Sequence, residues 1–391
     1  MKVLLFYFFF FFSGFSWAID LKSSQQKLDS LLEQVKKHRE ENNEKLMLLD
    51  GKRAILIAES LGDNLTKAKV YVAIGNYYYD KNQSSVVAYD YYYKAYRAYS
   101  YEKQAEKMAK TLLRLAIVEK NNRNFLKSKE SSFLALELLK GQSTDFLDTL
   151  YNNLGIVFGE LQDLKQAFFY HQKALALRIK NNQQELILQS YNNIATAYLE
   201  NGKLSKAILF YQKGLSYPRL ILEQYPQEYA RLLDNYSYLQ FLQGQKQVLP
   251  NMLKALSIRE NCDDKAGVLS SYLHLASYYQ KLNQLDLSNS YAYKTYQRAF
   301  QTKNYRDVLS ALELLEANSQ KLNEYKKALE YAKTQQQILD ILTSEELKIS
   351  EKFADIRYAA SQKERENKVL KLQNKEQQLL TEKRKKYLYL A

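Results

Sequence analysis

Glycine and proline are scarce: eleven and three of 391 residues, respectively. A strand-rich fold needs turn formers at short intervals, so their scarcity excludes a β-sandwich or barrel and points to long helices with short connections. There is one cysteine, Cys262. No disulfide can form within the chain, and no cysteine-based metal site is available. Histidine occurs three times, as His38, His171 and His274, at spacings that suit no metal. No glycine-rich loop is present to cradle a phosphate. The adjacent acids Asp263 and Asp264 lie in a turn after Cys262, where turn chemistry accounts for them better than acid–base work. The sequence therefore implies no cofactor and no catalytic constellation.

What is abundant is tyrosine, 34 residues, in a chain that is 46% hydrophobic and 26% charged. That composition folds rather than remaining disordered. The net charge is +14, and most lysines are scattered along helical faces. The one dense cluster, Lys383 to Lys386, lies near the C-terminus. Tyrosine runs such as Tyr77 to Tyr79 among basic residues could stack single-stranded nucleic acid. Tyr78, however, occupies a packing position of the repeat described below, so no nucleic-acid partner is expected.

The first residues read as a targeting segment. Lys2 is followed by an unbroken apolar run from Val3 to Phe12, and Ser16 and Ala18 are the small residues that a signal peptidase reads. The run is short for a membrane span. Cleavage after Ala18 and export, to a periplasm, are expected.

The rest of the chain repeats itself. Tyr151, Leu154, Gly155 and Phe158 recur as Tyr191, Ile194, Ala195 and Tyr198. They recur again as Tyr272, Leu275, Ala276 and Tyr279, and upstream as Tyr71, Ile74, Gly75 and Tyr78. A large residue, a Leu/Ile–Gly/Ala pair three further on and an aromatic beyond define one face of a helix, with the small residue where a partner helix crosses closely. A polar turn and a second helix follow each copy, as in Leu164, Ala167, Tyr170 and Ala174 or Leu204, Ala207 and Tyr211. Less regular copies centre on Leu112 with Phe125 and on Leu232 with Gly244, a first begins near Leu31, and a last includes Tyr325, Ala328 and Tyr331.

This pattern resembles the tetratricopeptide repeat (TPR) family over roughly residues 28 to 340. The resemblance implies an all-α solenoid of about eight helix pairs spanning 19–342, after the signal segment 1–18. The period is about 40 residues rather than 34, and the closing proline is missing. One pair cannot bury its apolar face alone, so stability comes from stacking. First helices line the groove in such solenoids, and the repeat phase places Asn76, Tyr79, Asn152, Asn192, Thr196, His274, Ser277 and Gln280 on that face. Amides there can bond a peptide backbone, or can tie neighbouring helices together. The expected partner is a protein or peptide.

From Glu345 to Tyr387 there is no glycine or proline, and the residues 343–386 read as one long charged connecting helix. Ile349, Phe353, Ile356 and Ala360 share a face that should cap the last repeat. Val369, Leu372, Glu376 and Leu379 space a coiled-coil seam with one polar interruption, through which a homodimer could form. Residues 387–391 read as the start of a membrane segment. Lys363 to Lys386 and this order of parts resemble the sensor portions of membrane regulators of Bacteroidetes-type bacteria, which continue into a histidine kinase or helix-turn-helix output. The resemblance implies an extracytoplasmic, membrane-tethered module of signal transduction. The alternative is a free periplasmic adaptor that assembles envelope proteins.

Overall fold

The computed structural model describes residues 22–81, 84–245 and 247–390, the side chains of 384–390 excepted. The signal segment and Ala391 lie outside the described residues. Two compact units are present: residues 1–141 with 347–391, and residues 142–346.

The first unit holds three helix pairs: α1 (22–40) with α2 (Glu44–Leu61), α3 (Asn64–Asp80) with α4 (Ser85–Tyr101), and α5 (Ala105–Asn121) with α6 (Phe125–Leu139). The second unit pairs α7 (Leu147–Glu160) with α8 (Leu164–Lys180) and α9 (Gln184–Glu200) with α10 (Leu204–Leu215). A short α11 (Arg219–Gln224) intervenes before α12 (Pro226–Leu242) with α13 (Leu249–Asn261). Then come α14 (Lys265–Lys281) with α15 (Leu285–Gln301), and α16 (Tyr305–Lys321) with the start of α17 (Tyr325–Leu390). Eight pairs form an α-solenoid that contains no strand among the described residues.

The turns explain why so little glycine suffices. A residue with φ between 48° and 69° ends most helices: Asn42, Gly62, Lys103, Arg123, Lys140, Gln162, Asn182, Gly202, Asp263, Asn283, Lys303 and Asn323. Most lie about 20 residues apart, half the repeat. The next amide reaches back to the carbonyl five residues earlier, as Asp163 N–H does to Phe158 (2.9 Å), Gln183 to Arg178 (3.0 Å) and Asp264 to Arg259 (2.9 Å). This left-handed closure satisfies the last carbonyls of each helix. The following residue then starts a new helix. Asp63, Asp163 and Asp264 cap the amides of Thr66, Gln166 and Gly267 at 2.9–3.1 Å. All three prolines, Pro218, Pro226 and Pro250, fall in the stretch around α11 where the period slips.

Within pairs the small residue marks the helix crossing, as its position in the pattern requires. A Cβ added to Gly75 would stand 2.7 Å from the Tyr92 ring, and one on Gly155 would stand 2.5 Å from His171 Nδ1. Leu150, Leu154, Leu188, Ile194, Leu232 and Leu275 are fully buried. Each such side chain contributes about 1.5–3 kcal/mol relative to exposure.

The long helix corrects one expectation. It has no break near 343: the second helix of the eighth pair and the charged segment are one helix. Phe353 does not cap the last repeat. It is fully buried in the first unit, stacked on Tyr89 of α4 with centroids 4.1 Å apart. Arg357 donates to the Tyr89 hydroxyl (2.7 Å) and lies 3.6 Å from Glu119, while Arg97 donates to the Ala360 carbonyl (2.9 Å) and pairs with Glu364 (3.2 Å). The physical reason is Glu119, a buried carboxylate on α5. Burial pushes its carboxyl up; Ser131, Tyr89 and Arg357 oppose that shift. Arg357 supplies the nearby positive charge that such a group needs. Further on, Val369, Leu372 and Leu379 are exposed. No helix of the described residues is long and apolar enough to cross a membrane.

Candidate functional site

The second unit carries two buried ion-pair nodes that fix successive pairs. Arg178, 1% exposed at the end of α8, donates to Asp148 of α7 (2.8 Å), the Leu186 carbonyl (3.0 Å) and Ser190 of α9 (2.8 Å). Arg259 of α13 does the same to Asp234 of α12 (2.6 Å), the Gly267 carbonyl (2.8 Å) and Ser271 of α14 (2.6 Å). Each arginine thereby joins its own first helix to the next one. Burial by itself would raise the Asp234 carboxyl; His274 foremost, then Arg259 and Ser271, outweigh it and hold the group below the ordinary range.

On the polar face of the first helices, hydrogen bonds step from repeat to repeat. Asn193 donates to Asn152 (3.0 Å), and Asn235 to Asn192 (2.8 Å). His274 Nδ1 meets Asp234 at 3.0 Å while its ring stacks on Tyr238 at 4.2 Å, and the Tyr238 and Ser277 hydroxyls share a bond of 3.0 Å. Gln280 donates to Asn318 (2.8 Å). Thr196 bonds Tyr211 inside its own pair (3.2 Å). In the first unit Asn76 accepts from Tyr92 (2.9 Å) and Arg114 (3.2 Å), and Tyr79 accepts from Asn121 (3.2 Å). All eight positions that the repeat phase singled out therefore make bonds between helices.

These bonds do not exhaust the amides. Asn152 and Asn192 use their oxygens, and Asn193 and Asn235 their nitrogens. The complementary NH2 groups and oxygens make no further hydrogen bond among the described residues. A row of donors and acceptors thus remains, held in place by the bonds already made.

A cleft of about 390 Å3 opens beside this row, lined by Gly155, His171, Asn193, Thr196, Glu160 and Glu200, with Arg306 reaching in from α16. Arg306 Nη2 stands 3.5 Å from Glu160, 146 residues away, so the eighth pair returns towards the fourth within this unit. Burial and the nearby Glu160 push the Glu200 carboxyl up, with Arg306 opposing. His171 is 4% exposed and its Nδ1 has no hydrogen-bond partner. Burial, then the Arg178 charge, lowers its pKa from 6.5 to about 4.

That shift has a direct consequence. Between pH 6.5 and about 4 the unfolded imidazole takes up a proton that the folded one refuses, so acidification favours unfolding. The penalty is absent above pH 6.5 and reaches about 3 kcal/mol when complete. Denaturant titrations of the wild type and His171→Asn at pH 7 and 4.5 check this. The wild type should lose more stability than the variant on acidification; equal losses would refute the assignment.

Sequence reading missed Glu160, Glu200, Arg306 and the role of His171. Glu160 and Glu200 close α7 and α9 one repeat apart, a signal that was available. Arg306 left none, because repeat phase does not reveal which distant repeats approach. Among the described residues, no three His, Cys, Asp or Glu side chains converge to hold a metal.

The eight-pair solenoid and its first-helix face are those of a TPR-like fold. Residues 146–217 match the family model described as Tetratricopeptide repeat. No curated protein matches the chain. Among solved structures, the chain is similar to aspartyl phosphate phosphatase F from Bacillus subtilis, at 13% identity and TM-score 0.58, covering 81% of this chain and 94% of that one. It is also similar to a Rap protein complexed with Competence and Sporulation Factor, at 14% identity and TM-score 0.57, covering 83% and 99%. NprR in complex with its cognate peptide NprX aligns at 15% identity and TM-score 0.54, covering 80% and 88%. At these identities the likeness establishes the fold.

Proposed function

We propose that this chain is a peptide- or protein-binding TPR scaffold, and the extracytoplasmic sensing module of a membrane-anchored signal-transduction regulator. The observation that carries the binding reading is the amide row on α7, α9 and α12. An extended backbone alternates carbonyls and N–H groups, and asparagines fixed by their neighbours offer complementary groups without demanding one sequence. Because the row is already ordered, little conformational entropy is lost on binding. Two solved proteins of this fold are described in complex with Competence and Sporulation Factor and with a cognate peptide, which supports the same use of this fold here. The likeness to a phosphatase shows the fold alone, and in this reading the chain acts by binding.

The sensing reading rests on the apolar run ending before Ser16–Ala18, and on α17, which continues from the eighth pair through the charged segment. Exposed Val369, Leu372 and Leu379 provide a seam for a second copy of the chain. Fractionation of the native host with N-terminal sequencing tests this reading. The account expects a mature chain starting at Ile19 in the envelope fraction, dimeric by sedimentation and made monomeric by Leu372→Glu. An intact Met1 in the cytoplasmic fraction would contradict it.

A further inference from the structure

We infer that the cleft at the ends of α7 and α9 is a subsite for a cationic side chain of the bound segment, an arginine foremost. The inference rests on the peptide-binding reading and names the chemistry that one stretch of the groove selects.

The charged acceptors of the cleft outnumber its one cation, although the amides of Asn192 and Gln162 also line it and can donate. Glu160 and Glu200 bring two carboxylates, and Asn193, one N–H of which is bonded to Asn152, adds a carbonyl oxygen with no bond of its own. His171 Nδ1 is buried without a partner in the same lining. In the tautomer protonated on Nε2 it is a further acceptor, set in the wall of the cleft against Gly155. A ligand group that only donates satisfies the two carboxylates and the Asn193 oxygen. Guanidinium has five N–H groups in a planar fork, and ammonium has three on one atom, so arginine fits several separated acceptors better than lysine.

Charge points the same way. Two carboxylates face one cation, Arg306, which is 64% exposed and only 3.5 Å from Glu160 at its nearest. Such a loose pair holds weakly. Arg306 therefore serves as the chain's own stand-in for the ligand cation, displaced when the segment docks.

The test is a positional-scanning heptapeptide library with acetylated and amidated ends, applied to the immobilised full chain, its Glu160→Gln, Glu200→Gln and Arg306→Gln variants, and a parallel library with free N-termini. The expected result is enrichment of arginine, then lysine, at one position in the blocked library. Replacing that arginine by citrulline should weaken binding about tenfold. Either glutamine-for-glutamate variant should erase the preference with the melting curve unchanged, and Arg306→Gln should keep it and bind about two- to fivefold tighter. A preference confined to free N-termini would assign the cleft to an α-ammonium and overturn the side-chain subsite. Enrichment of acidic residues lost in Arg306→Gln, or cationic enrichment that survives in Glu160→Gln and Glu200→Gln, would also overturn it. In both cases the groove reading stands. Selection of no peptide by any form would overturn the groove reading and the subsite together.

Discussion

Arg178→Ala should destabilise the 142–346 unit by about 3–5 kcal/mol, one of the two largest effects expected in this protein. The side chain is 1% exposed and bonds Asp148, the Leu186 carbonyl and Ser190. Truncation leaves Asp148, itself 3% exposed, as a buried carboxylate without its cation. The charge is costly because it stays buried without an opposite charge beside it. In a solenoid, stability is a sum of repeats and interfaces, and this one side chain serves both. The unfolding midpoint should fall by roughly 10 °C. The double variant Arg178→Met with Asp148→Leu separates pairing from packing. It should recover most of the loss, because removing both charges removes the unpaired one. If the single variant costs less than about 1 kcal/mol, the node is not the clamp described.

The second large effect is at Phe353. Its ring is fully buried and stacks on Tyr89 at 4.1 Å and 14°. Phe353→Ala should cost about 3–5 kcal/mol, from lost burial and the cavity left beside Tyr89. The loss belongs to the first unit. Hydrogen exchange should show the amides of residues 350–364 losing about two orders of magnitude of protection, while α8 and α9 keep theirs. Arg357→Ala should act at the same place, since it strips the cation from buried Glu119, but Ser131 and Tyr89 still donate to that carboxylate. Unchanged protection in Phe353→Ala would mean that the helix is held elsewhere.

Much of the fold was legible because it is periodic. Tyr151, Gly155 and Phe158 announce their helix face, and copies one repeat apart confirm the phase. Gly155 predicts the close crossing that His171 makes. The turns are legible only in part: lysine, arginine and glutamine take the left-handed position at Lys103, Arg123 and Gln162, where no turn former signals it. The closing hydrogen bonds from the next amide and the adjacent cap hold that geometry. The eight polar positions of the first helices were legible as a face. That each bonds a residue of a neighbouring helix, and so leaves a fixed row of donors and acceptors, required coordinates.

Long-range partners were not legible. Phe353 reads as an apolar residue on a charged helix, and periodicity places it next to the repeat that precedes it. Its actual neighbour, Tyr89, is chosen by the buried Glu119 and its need for Arg357. Arg306 likewise looks like an ordinary surface cation. Its meaning comes from a curvature that brings α16 towards α7, which depends on many small crossing angles.

The measurement that bears most directly on the account is a crosslink. Benzophenone-bearing phenylalanine is placed at Thr196, on the polar face of α9, or at Leu209, 47% exposed on the second helix α10. Each chain is irradiated with the heptapeptide selected by the wild type. The account predicts crosslinking from position 196 and none from position 209. Crosslinking from 209 alone would place the bound segment on the second helices and contradict it.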